Sequence, residues 1–336
     1  MNFITKSEAS QYYECGYSCD NGLFLKLDEG RFFVTDARYV QEAEENVKNT
    51  EVVVASNILQ EANLLIKKLD IKSLVFDPKE FSVFEYETLC SSLETSFVPE
   101  PDFMHKKRAI KSKEEIKNLK EAVKLGAEAF ESICKILEAG KTEKELSFIA
   151  KGILQNYGEF DLSFEPILAF DENAAKPHAL PTEKSLQKGG LVLLDAGVKY
   201  KRYCSDRTRV LEFGRSENFC IKQGFSNKEL QKIYDVIKKA KDEATARAKP
   251  GMMAKNLDKI ARDLIEKAGY GKYFNHSLGH GVGLDIHEFP FINSKNDYIL
   301  QENMVFTIEP GIYIPNHFGV RLEDMVVMRA DGVEVL

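Results

Sequence analysis

Four carboxylates stand where a folded chain tolerates charge least. Asp195 ends the apolar run LVLLD, and Asp206 follows the turn-like stretch Tyr200-Lys201-Arg202. Glu309 lies inside MVFTIEPGIYI (304–314) and Glu323 inside VRLEDMVVM (320–328). These runs have the length and apolar character of buried strands. An isolated buried charge costs many kcal/mol. Two carboxylates about 4 Å apart repel by roughly 4 kcal/mol at an effective dielectric of about 20. Several such terms rival the ~5–15 kcal/mol that holds a whole domain together. A chain that buries this set must bring positive charge to it, and two divalent cations carry about the right amount.

His280 adds a nitrogen donor. It sits in SLGHGVGLDIHE (277–288), where flanking glycines permit tight backbone. Four carboxylates and one imidazole form a hard, oxygen-rich set without thiolate. That chemistry favours manganese, with zinc, cobalt or iron(II) as alternative occupants. Two metals about 3.5–4 Å apart can share a bridging water, lower its pKa and clamp the attacking and leaving oxygens.

Composition narrows the setting. A chain of 336 residues suits two domains, and 43% apolar residues supply a sizeable core. The net charge of −7 argues against nucleic-acid binding and against attraction to anionic membranes. The polar start MNFITKSEAS lacks the apolar region of a secretory signal, and no run approaches the length of a membrane span. A cytoplasmic location is expected. The six cysteines are dispersed, and Cys15 and Cys19 lack partners for a zinc site, so all six are expected as reduced thiols.

The N-terminal third alternates strand-like and helix-like pieces. GLFLKL (22–27) and RFFVTD (31–36) flank Asp28-Glu29-Gly30 as a hairpin, residues 37–49 are helix-compatible, and EVVVAS (51–56) reads as a buried strand. A helix over Leu59 to Leu69 and a strand at SLVFD (73–77) complete a small α/β domain. The two prolines and basic run of 98–112 read as a linker with a solvated face. Ser112 then opens a long amphipathic helix, with Glu115 completing a capping box. Further helices are expected from Thr142, over Asn227 to Ala248, and over Ala254 to Ala268. Strands are expected at 191–197, 208–213, 304–314 and 320–328. Tyr12, Tyr13 and Tyr17 suit core or interface packing. The glycines around His280 do not have the spacing of a phosphate-binding loop.

The motifs LLDAG, YCSDRTR, SLGHGVGLDIHE, TIEPGIY and GVRLEDMV occur here in the order found in the pita-bread metallopeptidases. The chain resembles that family, which contains aminopeptidase P, prolidase and methionine aminopeptidase. RFFVTDARYV resembles the creatinase-like N-terminal domain of the aminopeptidase P and prolidase branch. The resemblance implies an α+β protein with a creatinase-like α/β domain over 1–108 and a pita-bread catalytic domain over 109–336. It implies Asp195 as the ligand of one metal, Asp206 and Glu323 as bridging carboxylates, and His280 and Glu309 as terminal ligands of the other metal. His178 and His287 resemble catalytic histidines beside the scissile amide, and His276 and Arg321 resemble substrate-binding residues, with Arg321 alternatively holding a carboxylate ligand. A metal-bridging hydroxide would cleave N-terminal Xaa-Pro bonds, in a homodimer or higher oligomer.

Three alternatives accompany that reading. A prolidase would accept only Xaa-Pro dipeptides. A methionine aminopeptidase is disfavoured by the N-terminal domain. A non-catalytic binding module is disfavoured because all five ligand positions are present. The chain departs from relatives at Asp171-Glu172-Asn173, at Arg207, and in GRSENFCIKQGFSN (214–227), which is expected as a surface insertion.

Overall fold

The computed structural model describes residues 1–336 except 92, 217 and 220. Backbone contacts divide the chain into two compact units, Met1–Arg108 and Ala109–Leu336.

The first unit is built on one sheet. Its strands are β1 (Phe3–Thr5), β2 (Gly22–Leu27), β3 (Gly30–Thr35), β4 (Glu51–Val54), β5 (Ser73–Phe76) and β6 (Ser96–Pro99), in spatial order β4-β3-β2-β1-β5-β6. The helices are α1 (Glu8–Cys15), α2 (Val40–Asn46), α3 (Ile58–Lys68), α4 (Val83–Cys90) and α5 (Phe103–Ala109). β2 and β3 form the expected antiparallel hairpin. Strand alternation sends Leu23, Leu25 and Leu27 to a core shared with Ala62, Ile66 and Leu89. Phe24 and Phe33 enter a second core with Phe103 and Met104.

Two expectations fail in this unit. β4 lies at the sheet edge, and its residues are half-buried or exposed, with Val54 48% exposed. The 98–112 linker contains helix α5, whose apolar Phe103 and Met104 are buried. Arg108 is also buried rather than solvated, and donates to Ser10 Oγ at 2.8 Å.

The second unit holds four long helices: α6 (Lys113–Ile136), α7 (Glu143–Gln155), α8 (Lys228–Arg247) and α9 (Ala254–Lys267). Ser112 and Thr142 cap α6 and α7 in reciprocal boxes with Glu115 and Glu145. The first strands are β7 (Asp161–Leu162), β8 (Ile167–Phe170), β9 (Leu191–Ala196), β10 (Val198–Tyr200), β11 (Tyr203–Cys204) and β12 (Arg207–Glu212). β8, β9 and β12 form an antiparallel sheet with β9 central. Val192, Leu194 and Ala196 of β9 pack in the core of α6 and α7. Leu191 and Leu193 pack in the core of α8 and α9. Period-two alternation places Asp195 on that second face, in register with Thr208.

The remaining strands are β13 (Gly279–Gly281), β14 (Glu288–Ile292), β15 (Val305–Ile308), β16 (Gly311–Ile314), β17 (Phe318–Arg321), β18 (Asp324–Arg329) and β19 (Gly332–Val335). The runs 304–314 and 320–328 were each expected as one strand, and each is broken at its glutamate. Pro310 lacks a backbone N–H and interrupts the first ladder. One register continues across the break, with Ile308 facing Asp324 on one side and Gly311 facing Arg321 on the other. Glu309 and Glu323 therefore occupy facing positions in the gap.

The segment 214–227 is not only surface. Phe219 is buried, with its ring 5.8 Å from that of Phe130, and Gln223 and Phe225 are buried with it. The five described cysteines are free thiols, and Cys220 lies outside the described residues. Burial pushes the Cys15 and Cys204 thiols up to about 11 and about 12. No helix among the described residues is long and apolar enough to cross a membrane.

Candidate metal centre

All nine residues singled out from the sequence line one cavity of about 600 Å³ in the second unit. Asp195, Asp206, His280, Arg321 and Glu323 are buried. Asp206, His280 and Glu323 offer ligand atoms that all lie within 4.8 Å of one another. Glu309 Oε1 lies 3.3 Å from His280 Nε2, and Asp206 Oδ2 lies 3.6 Å from the same nitrogen. His105, in α5, belongs to the other unit, and His317 is exposed beside Glu229.

The local backbone explains the convergence. A Cβ on Gly279 would stand 2.0 Å from Thr307 O, and one on Gly281 would stand 2.3 Å from Phe289 O. Only glycine lets β13 approach its neighbours this closely. His280 is carried between them, and its amide donates to Thr307 Oγ1 at 3.1 Å. Thr307 in turn donates to Glu309 Oε1 at 3.1 Å. Two residues along an extended chain share a face, so Thr307 and Glu309 point the same way. Thr208 links the other side: its hydroxyl donates to Glu323 Oε2 at 2.7 Å and accepts from Arg321 Nε at 2.9 Å.

Arg321 organises the rear of the cavity. Besides Thr208 it donates to Asp195 Oδ2, to Tyr313 Oη at 2.6 Å and to Pro177 O at 3.2 Å. A guanidinium has five N–H groups. Most of them are engaged inside the protein, which fits the alternative of holding a carboxylate better than direct substrate contact. Burial with Arg321 and Tyr313 shapes His276. Its Nδ1 lies 2.8 Å from Ser277 O and its Nε2 lies 3.0 Å from Tyr313 Oη. Desolvation, then Arg321, pushes its pKa down to about 3, so the ring is neutral.

The electrostatics leave a deficit. Burial pushes the carboxyls of Asp206, Glu309 and Glu323 up, with neighbouring carboxylates adding to it. Glu309 reaches about 8, although Arg321 opposes the rise. Burial, then His287, pushes His280 down to about 4. Its Nδ1 meets Gly281 O at 3.0 Å, which assigns the proton to that nitrogen. With these acids ionised, Nε2 presents a lone pair to two carboxylate oxygens, and Asp195 Oδ1 is buried without a hydrogen-bond partner. Acceptors facing acceptors, with an orphaned carboxylate oxygen among them, fit a site for cations.

His178 and His287 are exposed at the cavity. The His287 ring lies 4.3 Å from that of His280, and burial, then His178, pushes its pKa down. Thr208, Thr307 and Tyr313 were not singled out from the sequence. Each sits two or four residues from a carboxylate on an extended run, and that spacing was the available signal.

The architecture is a pita-bread domain preceded by a creatinase-like domain. Residues 117–330 match metallopeptidase family M24, and residues 2–110 match the creatinase/prolidase N-terminal domain. The chain belongs to metallopeptidase family M24, whose members use divalent metals in a dinuclear site. An uncharacterized peptidase of Staphylococcus epidermidis is 44% identical over 68% of this chain, and the match spans 62% of that protein, less than two thirds of its length. An uncharacterized peptidase of Bacillus subtilis is 34% identical over 98% of this chain and 91% of its own. Among solved structures, an Xaa-Pro dipeptidase from Bacillus anthracis superposes with TM-score 0.91 at 33% identity, covering 99% of this chain and 92% of that one. An X-Pro aminopeptidase from Thermotoga maritima gives 0.88 at 30%, covering 99% and 94%.

Proposed function

We propose that this chain is a metal-dependent exopeptidase that hydrolyses the bond between an N-terminal residue and a following proline. Asp195, Asp206, His280, Glu309 and Glu323 would hold two divalent ions. When bound, the ions supply Lewis acidity and an activated water at neutral pH. The hard oxygen set favours Mn²⁺. The observation that carries this reading is the acceptor-on-acceptor contact of His280 with Asp206 and Glu309 beside the unpartnered Asp195 oxygen.

The protein's own groups have distinct tasks. His287 is neutral at ordinary pH and donates a hydrogen bond to the scissile carbonyl oxygen as charge develops there. His178, which also lines the cavity, orients the amide. Arg321, through Thr208 and Asp195, holds two acid side chains in place. Phe164, Pro166, Ile286 and Phe291 give the cavity an apolar wall that suits a pyrrolidine ring.

Peptides longer than two residues are the favoured substrates. A dipeptide-only enzyme needs a free cation for the nearby C-terminal carboxylate. Lys151 lines the cavity but is paired with Glu165, and Arg321 is engaged. The likeness to the B. anthracis dipeptidase supports the second reading, a prolidase. Assaying Xaa-Pro and Xaa-Pro-Yaa with and without Mn²⁺ separates the two. Turnover of the tripeptide with release of Xaa supports the first reading, and turnover of the dipeptide alone supports the second. No hydrolysis of either in the presence of Mn²⁺ contradicts both. The proposal includes a homo-oligomer, for which Phe148 and Leu180, 79% and 80% exposed, provide apolar surface.

A further inference from the structure

Glu143, the first residue of α7, is 0% exposed and lies outside the cavity lining. Its Oε1 accepts the Phe170 amide at 2.6 Å. Its Oε2 accepts Asn173 Nδ2 at 2.8 Å, the Thr182 amide at 2.7 Å and Thr182 Oγ1 at 2.6 Å. All four partners are donors, and a carboxylate is the side chain that accepts on every side. Among the described residues no lysine or arginine pairs with it.

These donors bracket one loop. Phe170 and Asn173 precede His178, and Thr182 follows it. Asn173 Nδ2 also donates to Leu180 O at 3.0 Å, inside the same loop. The start of α7 is laced to the far end of the loop, since the Glu143 and Lys144 amides donate to Lys184 O and Thr182 O at 3.0 and 3.2 Å. The first-turn amides of a helix need such external acceptors, and a carboxylate in that turn is favoured by the helix dipole. Arg321 fixes the loop from the other side at Pro177 O. His178 itself is exposed, and among the described residues none holds its ring by a hydrogen bond. Its position is inherited from the loop ends.

We propose that Glu143 is a positioning residue that holds the His178 loop in its working geometry, an inference that rests on His178 acting on the substrate. Glu143→Gln keeps the volume but turns an NH₂ group toward either the Phe170 amide or the Asn173 and Thr182 donors. The loop ends then lose acceptors while the metal-binding side chains are untouched.

The test is a double-mutant cycle on full-length, Mn²⁺-loaded protein: wild type, Glu143→Gln, His178→Ala and both together, read as kcat/KM on an Xaa-Pro peptide. Glu143→Gln is expected to lower kcat/KM by roughly 10- to 100-fold in the wild-type background, the scale of a misplaced group. It is expected to have almost no further effect once His178 is alanine, with metal content unchanged. Hydrogen exchange at the Phe170 and Thr182 amides should rise in Glu143→Gln. Equal losses in both backgrounds overturn the positioning role while leaving the reading of His178 intact. A His178→Ala variant with full activity overturns the His178 reading, and the positioning role with it. If Glu143→Gln does not fold, Asn173→Ala carries the same cycle, because it removes one donor from the same carboxylate and keeps the others.

Discussion

Arg321 brings one positive charge to four acidic side chains, and most of its donors are engaged by Asp195, Thr208, Tyr313 and Pro177. A second buried cation shows what a satisfied carboxylate looks like in the same unit. Lys111 Nζ lies 2.8 Å from Glu288 Oε2, and both side chains are 1% exposed. Glu288 Oε1 also accepts the Leu284 and Asp285 amides at 3.1 and 3.2 Å, so the pair pins the turn that leads to His287. Lys111→Ala would leave Glu288 buried without its cation and should destabilise the protein by roughly 3–5 kcal/mol, measured by urea denaturation. Adding Glu288→Gln should recover part of that loss. At this scale the sequence was informative where a residue violates its neighbourhood. A charge within an apolar run is visible locally, and Asp195, Glu309 and Glu323 could be singled out for that reason. Thr208, Thr307, Tyr313 and Glu143 are ordinary in their local contexts. Their roles come from partners such as Glu323 or Thr182, which folding brings near.

Elements were legible where their ends carry chemistry. Ser112 and Thr142 each have a glutamate three residues on, and both caps form. The hairpin at Asp28-Glu29-Gly30 was equally plain, since Asp28 takes a φ of 48° in its turn. The failures concern burial rather than type. The basic run of α5 conceals Met104 and Arg108, because Arg108 is buried whole against Ser10, a partner distant in the sequence. The breaks at Glu309 and Glu323 were hidden by the apolar residues on either side, although Pro310 was the warning. The polar segment 214–227 hides two anchoring aromatics, Phe219 and Phe225. Phe219→Ala should cost about 3–5 kcal/mol, because it empties a buried site beside Phe130. A change below about 0.5 kcal/mol in a denaturant midpoint would restore the surface-insertion reading.

For the whole molecule the charge deficit becomes a dependence on pH. Glu309 moves from an ordinary 4.5 up to about 8 in the folded protein without metal. Between those values the native state holds more protons than the unfolded state, so its contribution to stability is present below 4.5 and is lost as pH rises toward 8. His280 runs the other way: its pKa falls from 6.5 to about 4, and its contribution is present above 6.5 and lost as pH falls toward 4. The two effects oppose each other between 4.5 and 6.5, whereas from 6.5 to 8 the carboxyl effect stands alone. Chelator-treated protein should therefore lose Tm as pH rises from 6.5 to 8. Protein refilled with Mn²⁺ should not, because cations favour the deprotonated acids. Thermal melts of both forms across that range check this, and a metal-free protein whose Tm climbs there would contradict it.

The most direct test is metal content, measured by mass spectrometry on protein purified without chelator and on its Glu323→Ala variant. The wild type should carry roughly two divalent ions per chain. The variant should hold fewer and lose peptidase activity in step. A wild type with no metal that gains no activity from added Mn²⁺, or a Glu323→Ala protein with full metal content and full activity, would contradict the account.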